Sequence, residues 1–512
     1  MNRQISRVAL VGLGLLAALI VATTYWQTWA AAGLTGREDN EIEQRVVQIE
    51  TKRGLIYASN GRTLLAANKA TRVAGQTAYT RTYPNGGLAS QTVGYSTPGR
   101  SRAGVEAAEN SYLTASNADL GTIFSTIGDR LKGTTVTGNN IVLTIDAHAQ
   151  RLAQHLLAGT CGAAVALDPT TGAVDVIASS PGFNPNGMES SAGYARIAAT
   201  RSPCPPAPAS PLFNRATEGL YPPGSTFKTI TAAAALDDKV YAPGSTFFDP
   251  GYCTEYGQKI TNALDQDGPE AYGLVNLVEA YQHSINAVFC NIGQKLGSER
   301  ILKEARRFGF YSVPPLETPP QERVASGTYK NGNLFDPHTP SQYGQVDPGR
   351  LAFGQATMLV TPLQMALVAA AVADKGVEMT PMLIRKIISP GGSVIASPRP
   401  HLWRRATTPA TAAELRNMMI AVVQAGTGTE AQIPGVSVAG KTGTAETATG
   451  SDVYDAWFIF FAPAEDPVVA GAVVIPDQRD GFGGAIAAPI ARELMEAILP
   501  STSNTTSQSN GN

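Results

Sequence analysis

The chain has 512 residues, of which 43% are hydrophobic and 16% are charged, and its formal net charge is -2 at pH 7. This length predicts two or three domains, and the composition is that of a globular protein. The near balance of acidic and basic residues argues against a nucleic-acid-binding protein, which normally carries a basic stripe.

The N-terminus predicts a membrane anchor. Residues 8–22 form a continuous apolar stretch, and no charged residue lies between Arg7 and Arg37. Arg3 and Arg7 precede the stretch, which places that end in the cytoplasm by the positive-inside rule. Aromatic residues of the kind that favour a membrane interface follow it, namely Tyr25, Trp26 and Trp29. Residues 1–36 are therefore predicted to be a cytoplasmic tip and one transmembrane helix in the plasma membrane, with the rest of the chain extracytoplasmic.

A cleaved signal peptide is the competing interpretation of this segment, because Ala30-Ala31-Ala32 resembles a small-residue cleavage site. The uncharged span is long enough to cross a bilayer, which favours a retained anchor. Both interpretations place everything after about residue 35 outside the cytoplasm.

The cysteines fit an extracytoplasmic location. Because no C-x-x-C motif occurs, a metal site is not expected, and one or two disulfides are plausible. If all the cysteines join, three pairings are possible. The cysteines are Cys161, Cys204, Cys253 and Cys290.

Residues 37–140 predict a β-rich module without catalytic motifs, because short alternating segments are separated by turn-forming sequences such as Ser59-Asn60-Gly61. A larger domain follows over residues 141–500. The polar, low-complexity residues 501–512 predict a disordered tail.

The larger domain is predicted to contain helices in its middle and strands at both ends. The strands are predicted at 141–146, 163–167, 173–178, 457–461 and 468–475. The helices are predicted at 151–158, 364–373, 410–424 and 488–499, and 311–349 is predicted to be a long loop. This order indicates an α/β domain with one antiparallel sheet assembled from distant segments and flanked by helices.

A phosphate-loop pattern occurs at Gly435–Thr442, which matches G-x-x-x-x-G-K-T. Such a loop must follow a buried strand and open a helix. Here a turn precedes the pattern, and residues 443–450 form a poor helix. We therefore expect no nucleotide site, and we predict a sheet strand or its edge at Lys441.

Ser225 and Lys228 form an S-x-x-K motif at the start of an alanine-rich helix. Pro222-Pro223-Gly224 interrupts regular structure before it, so the helix should begin at about Ser225. Residues three apart share a helix face, so the lysine amine can lie against the serine hydroxyl. A capping serine followed by a solvated lysine would explain this stretch equally well in isolation.

Two further motifs favour a catalytic role for Ser225 and Lys228 over this structural interpretation. Ser284 and Asn286 form S-x-N, and Lys441-Thr442-Gly443 form K-T-G. The order S-x-x-K, S-x-N, K-T-G is the signature of penicillin-binding proteins and serine β-lactamases. The ordered set therefore predicts a serine acyl-transfer site.

The residue types suit that chemistry, because a serine hydroxyl needs a nearby base. Lys228 can be this base if its amine is neutral, and burial together with a second cation at Lys441 would lower its pKa. Ser284 can relay a proton to a leaving amine, and Asn286 can offer its amide to the substrate backbone. A terminal carboxylate can bind to Lys441 and to the K-T-G threonines, namely Thr442 and Thr444. Gly443 leaves room for close approach of a ligand, whereas His283 is interpreted as a packing residue.

The chain resembles class B penicillin-binding proteins, especially the penicillin-binding protein A type of actinobacteria. The resemblance extends from the N-terminal segment to about residue 500. In the larger domain it rests on 143–146 with Gln150, 214–216, 221–228 and 360–366. In the module it rests on an R-G-x-I-x-x-x-N-G box from Arg53 and a G-x-E box at 104–106 with Asn110 and Leu113. The departure is Tyr57-Ala58, where the family commonly has an acidic and then a basic residue.

The resemblance implies the penicillin-binding-protein/β-lactamase-like transpeptidase fold, preceded by a dimerisation or pedestal module. It implies a peptidoglycan D,D-transpeptidase of cell-wall synthesis that uses no cofactor or metal and serves cell shape or division. A D-Ala-D-Ala stem peptide would acylate Ser225, and an amine of a neighbouring strand would accept the acyl group. β-Lactams would acylate the same serine, and the implied partner is a membrane glycan polymerase of the SEDS type.

Other functions with the same motifs stay open. A D,D-carboxypeptidase or a β-lactamase-like enzyme would hydrolyse the acyl-enzyme instead of transferring it. The non-catalytic module and the predicted anchor favour transfer. A non-enzymatic scaffold or β-lactam sensor is disfavoured, because the three motifs are intact and no cytoplasmic signalling domain is evident.

Overall fold

The computed structural model describes residues 2–25, 51–73, 76–97, 101–117, 135–188, 190–200, 210–262, 271–446, 453–479 and 481–500, together with Thr122, Thr126, Gly128 and Cys204. The tail predicted at 501–512 and the aromatic residues Trp26 and Trp29 lie outside these residues. A first helix, α1, spans Asn2–Tyr25. Over the described ranges no helix is both long and apolar enough to cross a membrane, and the membrane anchor stays a prediction.

The strands, in chain order, are β1 (Ile56–Tyr57), β2 (Leu64–Val73), β3 (Gln76–Thr82), β4 (Asn140–Leu143), β5 (Ala163–Leu167), β6 (Val174–Ser179), β7 (Thr246–Asp249), β8 (Tyr252–Glu255), β9 (Gln258–Thr261), β10 (Gly273–Asn276), β11 (Gly327–Lys330), β12 (Asn333–Leu334), β13 (Met358–Leu359), β14 (Val377–Met379), β15 (Ile384–Ile388), β16 (Val394–Ala396), β17 (Leu402–Arg405), β18 (Ala439–Glu446), β19 (Val453–Ala462) and β20 (Val469–Arg479).

The helices that follow α1 are α2 (Ser90–Val93), α3 (Gly104–Ala108), α4 (Asn110–Leu113), α5 (Ala147–Leu156), α6 (Ser191–Ala199), α7 (Lys228–Asp237), α8 (Leu277–Gln282), α9 (Asn286–Arg307), α10 (Pro340–Tyr343), α11 (Pro348–Leu351), α12 (Pro362–Ala373), α13 (Pro409–Ala425) and α14 (Gly483–Ile498). Short 3-10 turns lie at Pro185–Met188, Gly224–Phe227, Pro320–Glu322 and Thr429–Ala431.

The larger domain is built on a five-stranded antiparallel sheet in the order β18-β19-β20-β5-β6. Strands from residues 163–179 and 439–479 therefore lie side by side, which confirms the prediction of one sheet assembled from distant segments. The predicted helices at 364–373 and 410–424 are also confirmed, as parts of α12 and α13.

Helices cover both faces of this sheet. In β19, Trp457 and Ile459 pack into one apolar cluster with α12, while Phe458 and Phe460 pack into a second with α5 and α14. Side chains alternate between the faces of a strand, so a strand covered on both sides needs apolar residues throughout. This explains the uninterrupted apolar run that ends β19. All residues of α12 are buried as well, as expected for a helix that is apolar around its whole circumference.

The N-terminal module shares its sheet with the larger domain. The strand order is β16-β15-β4-β1-β2-β3, in which β1 and β4 are parallel and the other pairs are antiparallel. Strands β15 and β16 come from residues 384–396, far from the module in sequence. The predicted boundary at 140/141 falls inside β4, which pairs with strands of both parts. Backbone pairing therefore joins the two parts.

The two sequence boxes of the module meet at a buried charge cluster. Glu106 is fully buried and accepts hydrogen bonds from the guanidinium groups of Arg53 and Arg81. Arg53 also donates to Asn110 Oδ1 at 2.8 Å. Burial opposes ionisation of Glu106, but the two guanidinium groups prevail and hold the pKa of its carboxyl below the usual value. The cluster ties the segment before β1 to β3 and α3.

The cysteines form two disulfides, Cys161–Cys204 and Cys253–Cys290. The sequence left three pairings open, because the cysteines are far apart along the chain and only tertiary structure determines which of them meet. The Cys253–Cys290 bond joins strand β8 to helix α9.

Residues 311–349 differ from the predicted long loop. They contain the short elements β11, β12, α10 and α11. Elements of two to four residues have no hydrophobic periodicity that a sequence pattern could reveal. Strand β11 instead depends on pairing with β13, where Gly327 lies opposite Leu359.

A buried carboxyl on β19 should make stability depend on pH. Asp455 is 3% exposed, and burial, reinforced by the nearby Asp477 carboxyl, raises its pKa to about 7. The folded state therefore holds a proton that the unfolded state has already lost, so stability falls as pH rises from about 4 to 7. Between about pH 5 and pH 8, we expect the free energy of unfolding of wild type to fall by about 2 kcal/mol more than that of Asp455→Asn.

Chemical unfolding of both proteins at the two pH values tests this prediction. The Asp477 N–H donates to an Asp455 carboxyl oxygen at 3.2 Å. The asparagine side chain of the variant keeps an oxygen for this bond, so the comparison isolates the ionisation. An equal pH dependence in wild type and variant would contradict the assignment.

Candidate active site

The Ser225 turn opens the central helix of the larger domain. Gly224–Phe227 form a 3-10 turn that continues into α7 at Lys228, so the helical segment begins where the sequence predicts, with a tighter first turn. Gly224 has φ +52°, and a Cβ there would lie 3.0 Å from the Thr444 carbonyl oxygen. Glycine is therefore required for both the backbone conformation and the close approach of β18. Ser225 is half-buried at this point.

The K-T-G strand packs directly on the Ser225 turn. Lys441 lies on β18, at the edge of the five-stranded sheet, as the sequence predicts. A Cβ on Gly443 would lie 2.8 Å from the Pro223 carbonyl oxygen. The sequence predicts that Gly443 lets a ligand approach closely. In the structure, the Ser225 turn occupies the space where a side chain of residue 443 would lie. The Trp457 indole N–H donates to the Pro222 carbonyl at 3.0 Å and holds the two segments together.

The S-x-N motif runs from the turn after α8 to Asn286, the first residue of α9. Ser284 has φ +55°, a left-handed conformation that is uncommon outside glycine. Such strained residues occur at functional sites when the surroundings hold them in place. The carbonyl oxygen of this left-handed residue accepts a short hydrogen bond from Lys228 Nζ, at 2.6 Å. His283 stacks on Tyr272 at 5.1 Å between ring centroids, which fits its interpretation as a packing residue.

Lys228 is fully buried. Its amine donates to the Ser284 carbonyl, to Asn286 Oδ1 at 2.8 Å and to Ser284 Oγ at 3.2 Å. The sequence predicts Asn286 as a ligand for substrate backbone. In the structure its Oδ1 accepts from Lys228 and its Nδ2 donates to the Thr261 carbonyl at 3.3 Å, so both ends of the amide contact protein.

Lys441 is the second fully buried amine of the site. Its Nζ donates to Ser284 Oγ at 2.9 Å and to the Thr442 carbonyl at 3.0 Å. Two amines therefore share one hydroxyl group. A charge on either amine disfavours a charge on the other, and burial disfavours both charges. A neutral Lys228 would keep N–H groups for the Ser284 carbonyl and Asn286, and its lone pair could accept a proton.

The threonines of the K-T-G strand, Thr442 and Thr444, lie beside the N-terminus of helix α14. Thr442 is buried and its hydroxyl contacts the hydroxyl of Thr427 at 2.5 Å. Thr444 is half-buried, and its Oγ1 accepts a hydrogen bond from the Gly483 N–H at 3.3 Å, where α14 begins. Backbone N–H groups and the positive end of a long helix favour a negatively charged ligand group.

The sequence did not identify several residues that build this site. Trp457 holds the Ser225 turn, Thr427 orients Thr442, and Gly483 lets α14 start against β18, where a Cβ would lie 2.3 Å from the Gly443 carbonyl oxygen. The Gly-Thr repeat at 426–429 is a signal of an irregular loop that could have drawn attention to Thr427. The other residues lie in apolar or glycine-rich stretches that look structural.

Comparison with known families identifies the arrangement. Residues 162–496 match the penicillin binding protein transpeptidase domain, and residues 53–141 match the penicillin binding protein A dimerisation domain. The chain belongs to the penicillin-binding protein family, in its penicillin-binding protein A type. The three motifs brought together by this penicillin-binding protein are those expected of that family.

Individual relatives of this penicillin-binding protein agree with the family match. The peptidoglycan D,D-transpeptidase PbpA of Mycolicibacterium smegmatis is 35% identical over 98% of this chain and 99% of that protein. The protein of the same description from Mycobacterium tuberculosis is 33% identical, over 98% and 99%. A ceftriaxone acyl-enzyme complex of M. tuberculosis penicillin-binding protein A has a TM-score of 0.76 and 32% identity, covering 88% of this chain and 99% of that chain.

Proposed function

We propose that this penicillin-binding protein is a peptidoglycan D,D-transpeptidase that cross-links stem peptides through an acyl-serine intermediate. The observation that carries the proposal is that Lys228 and Lys441 both donate to Ser284 Oγ, because these bonds join three motifs that are distant in sequence into one hydrogen-bonded network. The same site is the target of β-lactams.

Acylation begins when the Ser225 hydroxyl attacks the carbonyl carbon of the penultimate D-Ala of a donor stem peptide. Neutral Lys228 takes the hydroxyl proton during the attack, because a serine hydroxyl that keeps its proton is a poor nucleophile. The oxyanion is stabilised by the Ser225 N–H in the first helical turn. The carbon–nitrogen bond then breaks, a proton passes through Ser284 Oγ to the departing amine, and D-Ala leaves an ester on Ser225.

Transfer reverses these proton movements. An amine of a neighbouring stem peptide attacks the ester, gives a proton to the site, and forms the new amide as the proton returns to Ser225 Oγ. Lys441 and the hydroxyls of Thr442 and Thr444 bind the terminal carboxylate of the donor, next to the N-terminus of α14. Transfer is favoured over hydrolysis because the relatives that align with nearly the whole chain are described as D,D-transpeptidases.

The location and partners belong to the same proposal. Residues 1–36 anchor the protein in the plasma membrane, and the catalytic domain lies outside the cytoplasm where its substrate is assembled. The apolar stretch, the flanking arginines and the disulfides support this location. A glycan polymerase of the SEDS type supplies the strands, and it contacts the anchor and the N-terminal module.

A reconstituted reaction tests the function. We expect the full chain, incubated with lipid-linked precursor and a partner polymerase, to produce cross-linked muropeptide dimers that mass spectrometry detects. Ser225→Ala is the control and should give uncross-linked strands. Release of D-Ala without dimers would identify a carboxypeptidase instead. Membrane flotation of the full chain, compared with a chain that begins at residue 37, tests the anchor.

A further inference from the structure

The segment that holds the S-x-N motif in place lies outside all three motifs. Helix α9 starts at Asn286, but its N-cap residue Ile285 makes no side-chain capping bond. The Ala287 N–H instead donates to Asn262 Oδ1 at 3.0 Å. Asn262 directly follows strand β9 and is distant in sequence, so it caps the helix from another part of the chain. Helix N-termini have N–H groups that need such partners.

A buried carboxylate orients this cap. Asp249 is 1% exposed, and its Oδ2 accepts hydrogen bonds from Asn262 Nδ2 and from the Tyr272 N–H, both at 2.9 Å. The first of these bonds fixes the direction of the Asn262 amide, because its nitrogen faces Asp249 and its oxygen then faces Ala287. The Tyr272 ring in turn stacks on His283.

Asp249 therefore braces the S-x-N motif on both sides. One branch runs through Asn262 to Ala287, immediately after the motif, and the other runs through Tyr272 to His283, immediately before it. Between these points lie the two oxygens that Lys228 Nζ contacts most closely, the Ser284 carbonyl and Asn286 Oδ1. The strained backbone of Ser284 needs this kind of support from its surroundings.

The hairpin that carries Asn262 is tied along α9. Asn286 donates to the Thr261 carbonyl, Cys290 is bonded to Cys253, and Gln294 donates to the Thr254 carbonyl at 2.7 Å. Residues four apart lie on one helix face, so a single face of α9 contacts the β8–β9 hairpin over two turns. The β8–β9 hairpin and helix α9 therefore form one unit.

We propose that Asp249 and Asn262 are positioning residues, which hold the S-x-N segment so that its oxygens meet the Lys228 amine. Neither residue contacts the reacting atoms. Their effect on acylation passes through the start of α9 and through the placement of Ser284 and Asn286. This inference rests on the proposed function, because it concerns the proton transfer that acylates Ser225.

Loss of the brace has a specific expected effect. We expect Asn262→Ala to lower the rate constant for acylation by penicillin at least about tenfold, since small displacements of catalytic groups have large effects on rate. The Lys228 ammonium would also lose hydrogen-bond acceptors, and this loss lowers the pKa of the amine. The acid limb of the pH profile, where the acylation rate falls because Lys228 is protonated, should therefore move to lower pH. A purely structural role would lower stability without moving that limb.

Asp146→Ala is the matched control. Asp146 caps α5 through bonds to the His148 and Ala149 N–H groups, and this helix carries none of the three motifs. Its loss costs about 1 kcal/mol of stability, as does loss of a typical helix cap. We expect the control to unfold at a lower temperature than wild type while its acylation rate and pH profile stay unchanged.

An exchange of the two partners separates positioning from general damage. Asn262→Asp alone places two carboxylates face to face and should slow acylation. Asn262→Asp combined with Asp249→Asn restores a donor opposite an acceptor at the cap. The new amide nitrogen also faces the Tyr272 N–H, which needs an acceptor, so the exchange should recover only part of the rate that Asn262→Asp loses. The inference is overturned if Asn262→Ala acylates at the wild-type rate, or if its rate falls without a shift in the pH profile and the exchange recovers nothing. Acylation of wild type but not of Ser225→Ala reports separately on the proposed function.

Discussion

Ser225→Ala should abolish covalent labelling of the protein by a fluorescent penicillin. The hydroxyl is the atom that forms the ester, and alanine leaves no nucleophile at the start of α7. The change removes one oxygen from a half-buried position in a 3-10 turn, so we expect the fold to stay intact. Gel fluorescence after incubation with excess probe measures the result, and the labelled fraction should fall from near one per molecule to background.

The matched control for this experiment is Ser341→Ala. Ser341 is an exposed serine on α10, in a part of the chain that does not contribute to the three motifs. It should be labelled as fast as wild type and should unfold at the same temperature. If Ser225→Ala remained labelled at an undiminished level, another residue would be the nucleophile and the proposed chemistry would be wrong.

Lys228→Met should slow acylation by about a thousandfold, within the range that general bases contribute to such reactions. Methionine has nearly the length of lysine and suits a fully buried position, but it has no amine to take the Ser225 proton. It also leaves the Ser284 carbonyl and Asn286 Oδ1 without their donor, which costs about 1–3 kcal/mol for each unsatisfied buried group. Stopped-flow or quench measurement of the penicillin reaction gives the rate.

Lys228→Arg separates charge from basicity. A guanidinium stays protonated, so it can donate to both oxygens and yet cannot accept the hydroxyl proton. We expect this variant to acylate about as slowly as Lys228→Met. A rate within a few-fold of wild type in either variant would exclude Lys228 as the base and would direct attention to Lys441 and Ser284.

The buried amines explain why three distant motifs must act together. Lys228 and Lys441 come from a helix and from a sheet edge, and both contact Ser284 Oγ. Removing any one of these groups changes the charge balance of the other two, so effects of substitutions within the set should not be additive.

Features of this protein that depend on residues close in sequence could be predicted from the sequence. The apolar run of β19, the apolar circumference of α12 and the glycine-bounded Ser225 turn depend on residues that are close in sequence, and the sequence indicated all three. The ordered motifs also predicted the nucleophile and the family. These features are encoded locally, because periodicity and turn chemistry act over a few residues.

Contacts between distant segments could not be predicted in this way. The pairing of the cysteines, the contribution of residues 384–396 to the module's sheet and the capping of α9 by Asn262 follow from the meeting of segments far apart in the chain. Gly443 illustrates the limit, since its sequence context predicts room for a ligand whereas the fold places the Ser225 turn there. The amino-acid order by itself determined which groups perform the chemistry. Only the tertiary structure decided which neighbours hold those groups in place, because long-range packing leaves no periodic trace in the residues that take part.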